Sequence, residues 1–204
     1  MAKKWTNENI PGALHYVTGN VHKRRPIFGS RQMAIAFLRE CQQHCKERAC
    51  KLIAFVVMLD HIHLILNPRD GDIQTSIGIL KSLSAKRLVQ TAKPGMFLEG
   101  GENQVWQESF KSLALWSNWM IWQKINYIHS NPVRKRLVQS AADYEWSSFR
   151  SFYEQESDPL LQVEKDWWWP EDVEKLRRAM AERDQRLEED FRAKRGRERD
   201  DTSY

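Results

Sequence analysis

The residues of this chain best placed to do chemistry are two histidines separated by one residue. They lie in the apolar stretch Met58-Leu59-Asp60-His61-Ile62-His63-Leu64-Ile65-Leu66-Asn67. In an extended strand successive side chains alternate faces, so His61 and His63 point one way and Ile62, Leu64 and Leu66 the other. At a rise of roughly 3.3 Å per residue the two imidazoles stand about 7 Å apart, a spacing from which both can converge on one divalent ion. A half-exposed strand with no ligand accounts for the pair equally simply. Further along lies Asn126-Tyr127-Ile128-His129-Ser130-Asn131-Pro132-Val133-Arg134-Lys135-Arg136-Leu137-Val138. If this segment is helical as far as Asn131, Tyr127 and Asn131 are i and i+4 and project together. A phenol is a weak nucleophile at neutral pH unless it is activated or aimed at a strongly polarised centre. Asn-Pro is also the signature of an N-cap and first residue, so Asn131 could open a new helix at Pro132.

The elements that must position these groups follow from periodicity. Residues 13–21 alternate and read as a strand, followed by the basic loop His22-Lys23-Arg24-Arg25-Pro26. Ser30 is placed to cap a helix from Arg31 to about Arg48. The apolar run 51–58 predicts a central strand buried on both faces. Leu59-Asp60 turns it into the histidine strand, with Asp60 directed to the face opposite the histidines. A second helix is expected over residues 73–90, a loose connection over 91–103, and a short strand over 105–110. Residues 116–130 read as a helix bringing Tyr127 over the sheet, which Pro132 stops or kinks. A short basic helix would follow. The order strand, helix, strand, strand, helix, strand predicts an α+β, ferredoxin-like split βαβ antiparallel sheet, with an added helix carrying the tyrosine. The histidines would look onto its open face. Tyr144, Trp146, Phe149 and Phe152 could stack on unpaired bases, but read more simply as a staple of a tail onto the core.

Charge is unevenly distributed. Residues 1–140 hold 20 Lys/Arg against 9 Asp/Glu, net +11, and residues 141–204 hold 12 against 18, net −6, which together make the overall +5. A strongly basic segment that also carries the histidines and the tyrosine suits a polyanionic partner. The candidate phosphate contacts are Lys23, Arg24 and Arg25, then Lys81, Lys86 and Arg87, then Arg134, Lys135 and Arg136. Cys41, Cys45 and Cys50 include no C-x-x-C pair, and Cys41 continues the apolar stripe of Ala34, Phe37 and Leu38, so buried reduced thiols are expected. No run approaches eighteen uncharged apolar residues and the first residues lack an apolar signal region, which predicts a soluble, cytoplasmic protein. Three regions are expected: an arm (1–12), a catalytic domain (13–153) and a helical, fraying tail (154–204) opened by Trp167-Trp168-Trp169-Pro170.

Taken together, the His-hydrophobe-His strand and the later Tyr-Ile-x-x-Asn-Pro-Val-Arg-x-x-Leu-Val segment resemble the REP-associated tyrosine transposases, single-tyrosine members of the HUH endonuclease superfamily. Ile27-Phe28 after Arg24-Arg25-Pro26, Val105-Trp106-Gln107 and Tyr144-Glu145-Trp146-Ser147-Ser148 extend the resemblance in family order, from about Ala13 to about Ser151. Leu59 departs from it, because relatives usually carry proline there. The resemblance implies a nucleophilic Tyr127 that forms a 5′-phosphotyrosine and releases a 3′-hydroxyl. It implies Mg²⁺ or Mn²⁺ on His61 and His63, with Asn131 as third ligand, although histidines would also accept Zn²⁺ or Ni²⁺. The implied substrate is single-stranded DNA near an imperfect hairpin, handled by a nucleoid-associated monomer or homodimer. Two other readings stay open. One is a hairpin-binding protein that cleaves poorly and acts in regulation or DNA architecture; the other is an unrelated metal hydrolase, which would want further carboxylate or histidine ligands.

Overall fold

Residues 7, 9–10, 12–92, 104–153 and 162–167 are described in the computed structural model. The connection over 93–103 and the helix expected after Trp167 lie outside the described residues. Among the described residues, four strands and three long helices follow one another as β1 (Leu14–Asn20), α1 (Arg31–Glu47), β2 (Cys50–Val57), β3 (His61–Pro68), α2 (Ile73–Thr91), β4 (Lys111–Leu115) and α3 (Asn118–Arg134), with a short α4 (Phe149–Tyr153) after them. The sheet is antiparallel throughout, in the order β2-β3-β1-β4. This is the expected split βαβ arrangement, with the histidine strand in the middle.

Two apolar layers sandwich the sheet. Val17, Ile62, Leu64 and Leu66 pack with Phe37, Leu38, Ile77 and Leu80 of α1 and α2. Leu14, Tyr16, Ile65 and Leu115 pack with Ile121, Ile125 and Ile128 of α3. Those three isoleucines recur at helical spacing and are fully buried, which contributes about 1.5–3 kcal/mol each. Since α3 covers the face opposite α1 and α2, the histidine face is roofed by a helix rather than open to solvent.

Several expectations need correction. β2 is buried on both faces, but it is an edge strand and not a central one. A bulge between Leu52 and Ala54 turns Ile53 and Ala54 to the α3 side and leaves Leu52, Phe55 and Val57 on the other. Its free edge is closed from outside. Val57 N donates to Trp146 O at 2.8 Å, Ser148 N to Phe55 O at 3.0 Å, and Glu164 N to Leu52 O at 2.8 Å. Covering an edge in this way denies it to other chains. The strand expected over 105–110 is instead a single bridge, Val21 to Trp106, and the fourth strand starts at Lys111. Val105 and Trp106 owe their apolar character to the core they fill.

Helix α3 also runs further than expected. Ser117 caps it by accepting from Met120 N, and it continues through Asn131 and Pro132 to Arg134, so no separate basic helix follows. Pro132 lacks the N–H that would have bonded back to Ile128, a loss confined to the final turn. The end is a Schellman closure. Arg136 adopts φ 57°, Leu137 N donates to Pro132 O at 2.9 Å, and Arg136 N to Val133 O at 2.9 Å.

Candidate active site

The polar groups of the site stand on two elements. On α3, Lys124, Tyr127, Asn131 and Arg134 follow the i, i+3, i+7, i+10 rule and form a polar stripe beside the isoleucine stripe. On the sheet, His61 and His63 share a face with Tyr16 and Thr18 of β1, and Thr18 stands directly opposite His63 in the antiparallel register. The isoleucines dock α3 on this face and bring the two polar sets together.

His63 lies at the centre. Its ring centroid is 4.8 Å from that of His61 and 5.7 Å from that of Tyr127, which meets it edge-on. Tyr16 stacks on His63 at 5.5 Å and meets Tyr127 edge-on at 6.1 Å. The Nδ1 atom of His63 is 2.8 Å from the Tyr16 hydroxyl and 2.9 Å from the Thr18 hydroxyl. Of the two tyrosines at this point, Tyr16 is buried and its hydroxyl is engaged, and burial pushes its ionisation upward. Tyr127 is only half-buried. Lys124 Nζ sits 5.0 Å from the Tyr16 ring and 5.7 Å from the Tyr127 ring, and the Arg134 guanidinium 5.4 Å from Tyr127. Two cations therefore lie within 6 Å of the centre of the Tyr127 ring.

Asp60 does not point away from the histidines as expected. Its Oδ1 accepts from His61 Nδ1 at 2.6 Å, and its Oδ2 meets Arg24 Nε at 2.8 Å. Burial holds His61 below the ordinary imidazole range despite that carboxylate. Burial, reinforced by the nearby charges of His61, Arg24 and Lys124, takes His63 to about 3. Both imidazoles are thus neutral at neutral pH and keep a lone pair for a ligand.

A divalent ion fits this set. Asn131 is 4% exposed, and its Nδ2 has no hydrogen-bond partner among the described residues. Leaving a buried amide end unpaired is costly, and a flip exchanges it for the oxygen. On α3, Asn131 lies one turn from Tyr127, which touches His63, and one turn from Lys135, which lines a cleft of about 320 Å³ with His61. Among the described residues no third histidine, cysteine or carboxylate joins the pair in a metal-holding group. The Asn131 amide oxygen would be the third protein ligand if an ion is held there.

The basic candidates divide. Arg24, Lys135 and Arg134 lie at the site, and Lys23 is exposed at φ 55° in the adjoining loop. Arg25 ties that loop down by donating to His22 O at 3.3 Å and to Gln104 O. Lys81 donates to Gln107 O at 2.6 Å and Glu108 O at 2.7 Å, and Arg87 pairs with Glu40 at 3.4 Å. With Lys86, these belong to α2, on the opposite layer from the histidines. Arg136 is exposed at the end of α3. Tyr16, Thr18 and Lys124 escaped the sequence reading. Tyr16 and Thr18 gave a period-2 signal, but only the β1–β3 register shows which histidine they meet.

Residues 13–131 match the family model for IS200-like transposases. A Haemophilus influenzae protein provisionally named a REP-associated tyrosine transposase is 25% identical over 133 residues, covering 62% of this chain and 71% of that one. The solved structure of a REP-associated tyrosine transposase bound to a REP hairpin is similar in fold. Its TM-score is 0.60 at 20% identity, over 79% of this chain and 92% of that one. Among the described residues no helix is long and apolar enough to cross a membrane.

Proposed function

Because this chain belongs to the IS200-like transposase family, we propose that it is a metal-dependent enzyme that nicks and rejoins single-stranded DNA beside hairpin repeats through a phosphotyrosine on Tyr127. The observation that carries this reading is the contact of the half-buried Tyr127 ring with His63, with His61 beside it. His61, His63 and Asn131 would hold Mg²⁺ or Mn²⁺, which draws charge from a phosphate under attack. Tyr127 is held edge-on by His63 and Tyr16, which limits the directions from which its oxygen can meet phosphorus. Attack forms the Tyr127 O–P bond and breaks the bond from phosphorus to the 3′-oxygen. The phenolic proton is lost to solvent, and the departing oxygen takes one up to become a 3′-hydroxyl. Lys124 and Arg134, both close to the Tyr127 ring, would place positive charge where the phosphate must enter. The tyrosyl ester conserves the energy of the broken phosphodiester, so a second 3′-hydroxyl can displace Tyr127 and join a new end. The hairpin preference is carried over from the relative of known structure, which was solved with a REP hairpin.

A denaturing gel of protein incubated with Mn²⁺ and a hairpin bearing an unpaired flank tests the proposal. A band of protein covalently attached to DNA is expected, together with its loss in His61→Ala and His63→Ala while hairpin binding persists. Hairpin binding with no adduct under any divalent ion would reduce the protein to a DNA-binding role.

A further inference from the structure

Among the described residues Asp60 is the one carboxylate that touches the histidine pair, and each of its oxygens has a partner. Oδ1 lies 2.6 Å from Nδ1 of His61 and Oδ2 lies 2.8 Å from Nε of Arg24, whose guanidinium also donates to Asn20 Oδ1. An ionised carboxylate can only accept hydrogen bonds, so Nδ1 of His61 must carry the proton. A neutral imidazole has a single N–H, which leaves Nε2 bare. The backbone fixes this arrangement from the other side as well. Val21 N donates to Asp60 O at 2.9 Å and Arg24 N to Val21 O at 3.0 Å, so the basic loop and the β2–β3 turn hold one another.

His63 is set differently. Its Nδ1 faces two hydroxyls, from Tyr16 and Thr18, and a hydroxyl can either give or take a hydrogen bond. Those partners steer the ring without dictating which nitrogen is protonated.

We propose that Asp60 is a positioning residue that locks His61 in the Nδ1–H tautomer and so presents Nε2 as a ready lone-pair donor, with Arg24 holding the carboxylate in place. The inference rests on the reading of His61 as a metal ligand. It makes the pair asymmetric: His61 is preset before any ion arrives, and His63 adjusts on binding. It also accounts for Arg24 in a way that phosphate contact alone does not. With Oδ1 on His61 and Oδ2 on Arg24, Asp60 acts in this proposal through its neighbour rather than as a ligand. If Asp60 served only to anchor the loop through Arg24, its loss would weaken folding and leave the His61 tautomer alone.

Long-range proton–nitrogen NMR of metal-free protein with nitrogen-15 histidine, at pH 7.5, reads the tautomer directly, and a His61→Gln variant assigns the signals. Wild-type His61 is expected in the Nδ1–H form. In Asp60→Asn, whose amide can donate to Nδ1, the Nε2–H form should appear, and Mn²⁺ affinity measured by calorimetry should fall about 10–100-fold. Arg24→Gln removes the loop anchor and keeps the carboxylate, so the tautomer should persist. A wild-type His61 protonated on Nε2 overturns the proposal without recourse to any variant. An Asp60→Asn protein with unchanged tautomer and unchanged Mn²⁺ affinity overturns it too. Should wild-type protein fail to bind Mn²⁺, the metal reading falls, and the tautomer spectra still decide the role of Asp60.

Discussion

At the scale of single residues, the site is a phenol whose ring has two cations and an imidazole close by. Lys124 is the newest member, and burial lowers its affinity for its proton relative to an ordinary lysine. Its ammonium lies over two aromatic rings, so a variant must keep the volume while removing the charge. Lys124→Met does so. Single-turnover cleavage in this variant should fall by roughly 10–100-fold, with hairpin affinity little changed, if the ammonium acts on the phosphate under attack. A rate equal to wild type would show that Lys124 merely packs. Tyr16 provides a contrast at the same scale. It touches the same imidazole as Tyr127, yet its burial and its hydrogen bond to His63 suit it to holding that ring rather than to attack.

At the scale of elements, the site depends on where α3 lies, and one serine helps to decide that. Ser148 is fully buried. Its Oγ accepts from Phe55 N at 3.0 Å and is 2.8 Å from Nε2 of His129 on α3, so it joins the closed edge of β2 to the tyrosine helix. Ser148→Ala strands those partners and should destabilise the protein by about 1–3 kcal/mol, as measured by urea unfolding. A change under half a kcal/mol would mean that water substitutes freely there. Much of this level was legible beforehand. Period-2 alternation put His61 and His63 on the face opposite Ile62, Leu64 and Leu66, and period 3.6 put Tyr127 and Asn131 together. What stayed hidden was non-local or broke a local rule. The register that sets Thr18 against His63 is a pairing between distant segments. The bulge at Ile53 and Ala54 hides an edge strand inside an apolar run, since both faces and the outer edge are covered. Pro132 reads as a stop, yet it stands two residues before the helix ends at Arg134, so the lost bond is confined to the final turn. Asp60 should alternate away from His61 in an ideal strand, but β3 begins only at His61, so the alternation does not extend to it.

At the scale of the whole molecule, buried neutral histidines couple folding to pH. Burial takes His15 and His129 down to about 4 from an ordinary 6.5. An unfolded chain therefore takes up protons on them as pH falls below 6.5, and the folded protein does not until near 4. Stability contributed by these groups is complete above 6.5 and is lost as pH falls toward 4, at about 1.4 kcal/mol per pH unit for each. Urea unfolding at pH 7.0, 6.0 and 5.0 should show this decline, flattened in His129→Gln. Constant stability across that range would contradict it. The central claim, that Tyr127 is the nucleophile, is tested most directly by locating the covalent bond. Protein incubated with hairpin DNA and Mn²⁺ would be digested with nuclease and protease, and the nucleotide-bearing peptide sequenced by mass spectrometry. The account predicts a nucleotide on Tyr127 and none in Tyr127→Phe, which should fold and bind hairpin as wild type does because phenylalanine fills nearly the same volume. A nucleotide on Tyr16, or an adduct that survives in Tyr127→Phe, would contradict it.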